Sequence, residues 1–486
     1  MRNLLLGASA LALLAPLPAL AQDHSGHDMS MPMPAPTPAP TPVPSPPVDH
    51  SGHEGMDMSA TEQTGDGMTH VTMHSSRQSN IARWSNSSWC CFVTYPDGTE
   101  ASVDGIAFAK FGEGSGTARL PGHEAGMPGV HAMAGNWMLM AHGTLSAQYT
   151  DHSGPRGDDK FYSTSMGMLM AERDAEWGRL QLKSMFSLEP AMDAAGYPNL
   201  FATGETAGGQ PLVDRQHPHD LFMELAARVD VDAGKNASVF LYGGPVGEPA
   251  LGPSAFMHRG SSRYNPEPPI THHWFDSTHI TYGVITAGLA TQKWQLEGSA
   301  FRGQEPDERR WNIETPKLDS WSVRATWTPG PQWAVQASYG QLKQPEALHP
   351  GEDEHRTTAS VHYANGSGLS AMAAFSAKDR VPGDTFTAWL GEVNWDLSDR
   401  HSVFGRVENV ANDELFPDHD DPLHDRAFRV TKLQAGYAYR VPIGPVELAL
   451  GGSLATYFKP AALDAAYGKH PVGATVFARL TLAGED

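Results

Sequence analysis

Two copies of one short pattern stand near the start of the sequence. Asp23-His24-Ser25-Gly26-His27 is followed by Met29, Met31 and Met33, and Asp49-His50-Ser51-Gly52-His53 is followed by Met56 and Met58. Met68, His70, Met73 and His74 form a third, looser cluster. Thioether sulfur is a soft ligand that suits Cu(I), whereas imidazole suits Cu(II), Zn and Ni. Cysteine is the stronger soft ligand, but in an oxidising compartment thiols are lost to disulfides. A chain that needs soft ligands there does better with methionine. The competing reading is a solvated tail that merely tolerates His, Met, Ser, Gly and Pro.

Further along, three more groups carry candidate ligands. Met138, Met140 and His142 share one face of an alternating segment, and Met166, Met168 and Met170 share one face of the next. Trp137 and Leu139 point the other way, so the first group is expected to face inward. The face of the second is left open, and packing against lipid is its alternative. In Asp214-Arg215-Gln216-His217-Pro218-His219-Asp220, the two histidines and Asp220 can bind a metal or anchor a loop by hydrogen bonds. Met257-His258, His272-His273, Asp276 and His279 stand in another long loop. The two histidine-rich loops are expected to meet inside whatever encloses them. The sequence carries no Walker loop and no GxSxG, HExxH or GxGxxG pattern, so nothing in it indicates an enzyme.

The elements that must position these residues can be read from the rest of the chain. Met1-Arg2-Asn3, an apolar run from Leu4 to Leu20 and Ala19-Leu20-Ala21 predict a signal peptide over 1–21. The Pro-rich stretch from Pro32 to Pro47 is an extended spacer, and residues 22–130 as a whole are expected to be a disordered periplasmic arm and connector. Cys90 and Cys91 are adjacent, which makes an ordinary disulfide between them geometrically poor. Residues 75–110 fit neither the arm nor the alternating segments downstream.

From Asn136 onward apolar and polar residues alternate in segments of about 7 to 14 residues, the period of half-buried strands. Short turns alternate with mostly longer loops, such as 189–219 and 244–278. This is the pattern of an outer-membrane barrel, and it predicts an all-β, antiparallel, up-and-down transmembrane β-barrel of about sixteen strands over 131–486. Trp294, Trp327, Trp333, Tyr363, Trp395 and Tyr439 all lie near short turns and predict an aromatic girdle at one mouth. Glu224 and Arg228 are expected to line the interior. The net charge of −21, from 34 basic and 55 acidic residues, argues against a nucleic-acid partner. Mean hydropathy is −0.38, which a barrel produces by construction because its strands alternate.

The arm, through Asp23-His24-Ser25-Gly26-His27-Asp28-Met29 and its partner, resembles that of the copper-resistance outer-membrane protein B family. The remainder resembles uncharacterised outer-membrane barrels associated with copper-resistance gene clusters. His131-Ala132-Met133-Ala134-Gly135-Asn136-Trp137, Asp214 to Phe222 and Phe256-Met257-His258-Arg259 carry that likeness. The resemblance implies an outer-membrane location and a copper context, and it implies no mechanism. The expectation drawn from it is a barrel for copper tolerance. The arm would take copper ion in the periplasm, from or beside periplasmic copper-handling proteins, and the lumen would hold it or pass it on. The alternatives are a general porin or small-solute channel with a metal-storage tail, and a structural surface barrel whose long loops are the working part.

Overall fold

A computed structural model describes residues 111–124, 129–234 and 236–482, and the backbone of two short paired strands, Phe92–Thr94 and Glu100–Ser102. The alternating segments form sixteen spanning strands. The first four are β1 (Trp137–His152), β2 (Asp159–Ala175), β3 (Gly178–Phe186) and β4 (Phe222–Asp232). Next come β5 (Ala237–Gly247), β6 (Thr281–Thr291), β7 (Trp294–Phe301) and β8 (Ser320–Trp327). They are followed by β9 (Trp333–Leu342), β10 (Asp353–Ala364), β11 (Leu369–Val381) and β12 (Thr385–Asp396). The set ends with β13 (His401–Asn412), β14 (Phe428–Ile443), β15 (Val446–Phe458) and β16 (Val472–Leu482). Each pairs antiparallel with its chain neighbours, and β16 pairs back onto β1, so the sheet closes.

The seam has a further partner. Thr144 to His152 of β1 lie against Thr481 to Gly473 of β16. The first residues of β1 pair instead with Val130–Ala134, through a two-residue turn at Gly135-Asn136. Gly135 sits at φ 63°, a left-handed conformation that costs glycine nothing.

Alternation decides which way each residue faces. Leu145, Leu241, Leu296, Leu454 and Val476 project outward and are about half exposed or more, while Gln148, Arg179, Thr286, Arg324, Arg356 and Glu408 are buried inside. The outward band is apolar and is edged at the short-turn end by Trp294 stacked on Trp327 and by Trp333 against Tyr363. An even-stranded closed barrel with an apolar outer belt and a polar interior is an outer-membrane barrel.

Much of the interior is filled. The loop 248–280 between β5 and β6 is almost wholly buried and folds back through the lumen. It carries the one-turn helix α1 (His272–Phe275). Ile270, Trp274 and Phe275 of this loop pack with Leu200 and Phe201 of loop 187–221 against Met372, Phe386, Leu390 and Val410 of the wall. Each such side chain contributes roughly 1.5–3 kcal/mol by leaving water.

The connector expected to be disordered as far as residue 130 is in part ordered. Phe111–Glu113 pairs with Arg119–Pro121, and this hairpin is buried in the lumen. Glu113 pairs with Arg179 at 2.8 Å, and Lys183 donates to the Gly116 carbonyl at 3.1 Å. Arg324 of the wall donates to Glu297 at 2.8 Å, to Thr117 at 2.9 Å and to the Gly252 carbonyl at 3.1 Å. One guanidinium therefore joins wall, hairpin and loop. A polar hairpin suits this place because a charged lumen supplies the partners an apolar core would deny it.

Candidate functional site

The arm residues His24, His27, Met29, Met31, Met33, His50, His53, Met56 and Met58 lie outside the described residues, as does the expected signal peptide. The remaining candidates are all in the barrel, and the lumen sorts them into three neighbouring groups.

The first is a row of histidines and carboxylates from separate loops. Glu205, His217 and His273 each place a ligand atom within 4.8 Å of the others, and so do His273, Glu305 and Glu346, and then Glu346, His349 and Glu414. Shared His273 and Glu346 link the three sets into one row. His217 Nε2 lies 2.9 Å from Glu205 Oε1, and His273 Nε2 lies 4.0 Å from the same oxygen. The other oxygen of Glu205 accepts from Arg310 at 3.2 Å. Burial alone would lower the pKa of His273, but Glu305, Glu205 and Glu346 hold it up at about 9. Burial keeps His217 below its ordinary value against the pull of Glu205.

The second group is three imidazoles around Phe256. His279 stands 5.4 Å from His219 and 5.1 Å from His272, centroid to centroid. Each is anchored through Nδ1: His219 to Glu189 at 2.9 Å, His272 to Asp276 at 2.9 Å, and His279 to the Asp276 carbonyl at 2.7 Å. Burial, with His272 and His219 close by, presses His279 well below the usual histidine range and leaves it neutral.

The third is a cavity of about 200 Å³ lined in part by Met166, Met223, Met257, His142, His219 and His258. Met140, Met168 and Met185 belong to the same buried cluster, with Met170 packed against it. Alternation on β2 is thereby settled, since Met166, Met168 and Met170 face inward with Met140 and His142. Met138 is also buried, and its β1 position lies opposite Met133 of the preceding short strand. Burial and nearby His142 push His258 down to about 3, which keeps a neutral imidazole beside the thioethers.

The two histidine loops meet in the lumen, as their composition leads one to expect. Asp220 departs from its expected role. Arg310 donates to it at 3.1 Å and Tyr282 at 3.1 Å, which engages both carboxylate oxygens. With both oxygens engaged, Asp220 has none left to offer without breaking a bond, whereas Glu205 gives only one oxygen to Arg310 and keeps the other facing His217. No spacing in the sequence singles out Glu189, Glu205, Glu305, Glu346, His349 or Glu414. They lie in loops with no periodicity, and only their folding into one lumen reveals them.

No family model and no curated protein matches the sequence. Among solved structures, the chain is similar to the Salmonella typhi OmpF complex with daunomycin at 9% identity and TM-score 0.47, covering 72% of this chain and 100% of that one. It is also similar to the anion-selective porin from Comamonas acidovorans at 13% identity and TM-score 0.45, covering 71% and 99%. A third, Pseudomonas putida OprB, has 10% identity and TM-score 0.43, covering 71% and 94%. The barrel assignment itself rests on the strand pairing and the outward belt.

Proposed function

We propose that the protein is an outer-membrane channel for small hydrophilic solutes, with passage set by the loop and hairpin packed in its lumen. The observation that carries this reading is the lumen wall. Strand after strand turns Ser, Thr, Gln, Arg, Lys and Glu inward, and the wall meets the inserted loop through many hydrogen bonds and a few ion pairs, such as Lys432 to Glu267 at 2.7 Å. A barrel kept only as a surface scaffold has no need of so many buried charges, each of which costs several kcal/mol to desolvate unless paired. The short turns face the periplasm and the long loops the exterior. Reconstituted in planar bilayers, the full chain is expected to conduct ions at a low level. Replacing His217 and His273 is expected to leave that conductance standing. A silent bilayer with correctly inserted protein overturns the reading.

A second reading, copper tolerance, is favoured by the thioethers and imidazoles around the 200 Å³ cavity, a donor mix that suits Cu(I). The arm would take the ion from periplasmic copper-handling proteins. A strain lacking the gene is complemented with the full chain or with one lacking residues 22–74. Lost tolerance restored only by the full chain supports this reading with the arm as the working part. Rescue by the shortened chain moves the function into the lumen, and unchanged tolerance in every strain removes it.

A further inference from the structure

We propose that Glu205, His217 and His273 form a lumenal binding site for one late first-row divalent cation of the zinc type. Their ligand atoms already converge within 4.8 Å. Tetrahedral zinc with bonds of about 2.0 Å sets its ligand atoms roughly 3.3 Å apart. The observed 2.9 and 4.0 Å from Glu205 Oε1 to the two imidazole Nε2 atoms bracket that spacing.

The back sides of the rings are arranged as metal-bound histidines require. His217 Nδ1 lies 3.0 Å from the Pro218 carbonyl, which can only accept, so Nδ1 carries the proton and Nε2 keeps its lone pair. His273 Nδ1 faces Glu305 Oε1 at 3.3 Å, an orientation that likewise aims Nε2 toward Glu205. A ligating histidine usually gives its far N–H to a carboxylate or a backbone carbonyl in this manner. Glu305 and Pro218 are thus positioning groups.

An independent observation points to an occupant. His217 Nε2 is buried with no hydrogen bond, and with the ring proton on Nδ1 its lone pair faces Glu205 Oε1 at 2.9 Å, a contact that a cation between them would relieve. Buried polar atoms are normally satisfied, so one left facing a carboxylate oxygen needs a reason. The backbone also makes room here. Gly204, at φ 106°, passes so close to the His273 ring that an added Cβ would meet Nδ1 at 2.7 Å. Charge agrees, since Glu205 and Glu305 face the site while Arg310, the guanidinium paired with Glu205, is shared with Asp220. Two nitrogens and one oxygen suit Zn, Ni, Co or Cu(II) and disfavour Ca and Mg, which take oxygen sets. No thioether belongs to this site, so it stands apart from the copper reading, and it holds whether or not solute passes.

The test uses the full chain in detergent, stripped with chelator and kept reduced. Zn(II) is titrated by calorimetry and Co(II) by visible absorbance, beside Glu205→Gln, His217→Ala and His217→Cys variants. Metal taken up by the arm is common to all of them. The expected result is that wild type binds one equivalent more than Glu205→Gln or His217→Ala. His217→Cys should keep that equivalent and add a sulfur-to-cobalt charge-transfer band absent from wild type. Glu305→Gln should weaken binding about 10- to 100-fold without removing the site. Equal stoichiometry in wild type and folded variants overturns the proposal. So does a folded His217→Cys protein without the new band, and that result decides the matter even if Glu205→Gln fails to fold.

Discussion

Arg259, in the loop inserted through the barrel, grips Glu392 of β12 with two parallel hydrogen bonds, Nε to Oε2 at 2.9 Å and Nη2 to Oε1 at 3.1 Å. Both side chains are fully buried. The same guanidinium reaches Asp276 at 2.9 Å, and Glu392 also accepts from Arg406 at 2.9 Å. A fork of this kind is directional, so it fixes where the loop sits in the lumen as well as how firmly.

Cutting that clasp is expected to loosen the loop before it unfolds the barrel. Arg259→Leu leaves Glu392 and Asp276 short of a partner, and a broken buried pair costs about 3–5 kcal/mol. Single-channel recording should show larger or more frequent openings than wild type, with the heat-resistant barrel band retained on gels. A double variant, Arg259→Leu with Glu392→Leu, should recover part of the lost stability. Unchanged conductance in the folded single variant would show that this loop does not limit passage.

Raising the pH is expected to weaken the docking of the 111–124 hairpin. Burial pushes Glu248 up to about 8, with the Ser115 hydroxyl and Arg324 opposing and Glu224 and Asp276 adding to the shift. Burial likewise takes Glu124 to about 7, against the Gly260 N–H, Arg263 and Arg259 and with Glu392 nearby. For an acid whose pKa is raised by folding, the packed form is most stable when the group is protonated. That stability is full below the ordinary carboxylate range, near 4.5, and is lost as pH rises through 7 to 8. Hydrogen exchange of residues 111–124 should therefore speed up between pH 6 and 9 by more than the intrinsic chemistry does, and Glu248→Gln should flatten the upper part of that rise. A rise identical in the variant would remove Glu248 from the explanation.

Leu145 tests the lipid belt. It is half exposed on the outer face of β1, between Trp137 and Tyr149. Arginine near the bilayer midplane of such a barrel costs about 2–4 kcal/mol. Leu145→Arg should lower the urea midpoint of protein folded in vesicles. Ser146→Arg, one residue on and facing the lumen, should act through crowding of the interior and change conductance instead.

How much of the molecule was legible in the sequence depends on the physics of each part. Strand alternation records a boundary between lipid and water, so a barrel of about sixteen strands, with aromatic residues near its short turns, could be read from the order of apolar and polar residues. Met140 and His142 facing inward is a result of the same period. The loops have no such register. Glu205, Glu305 and Glu346 look like ordinary solvated acids until three loops fold into one lumen. Asp220 looks like a metal ligand until Arg310, 90 positions later, claims it. The 111–124 hairpin escaped notice because its strands are three residues long, too short to show a period. Its partners are wall residues far away in the chain.

The short strand Val130–Ala134 lies beside the start of β1, below the point where β16 ends. Without it, Met138 to Ala141 would present a row of unpaired backbone groups at the mouth of an otherwise edgeless sheet. Such a row is a template for a strand from a second chain and a starting point for aggregation. By folding back on itself at Gly135, the chain occupies its own sticky end. Crowded neighbours in a membrane, or barrels waiting to insert, then meet an edge of only five residues in place of the long wall strand.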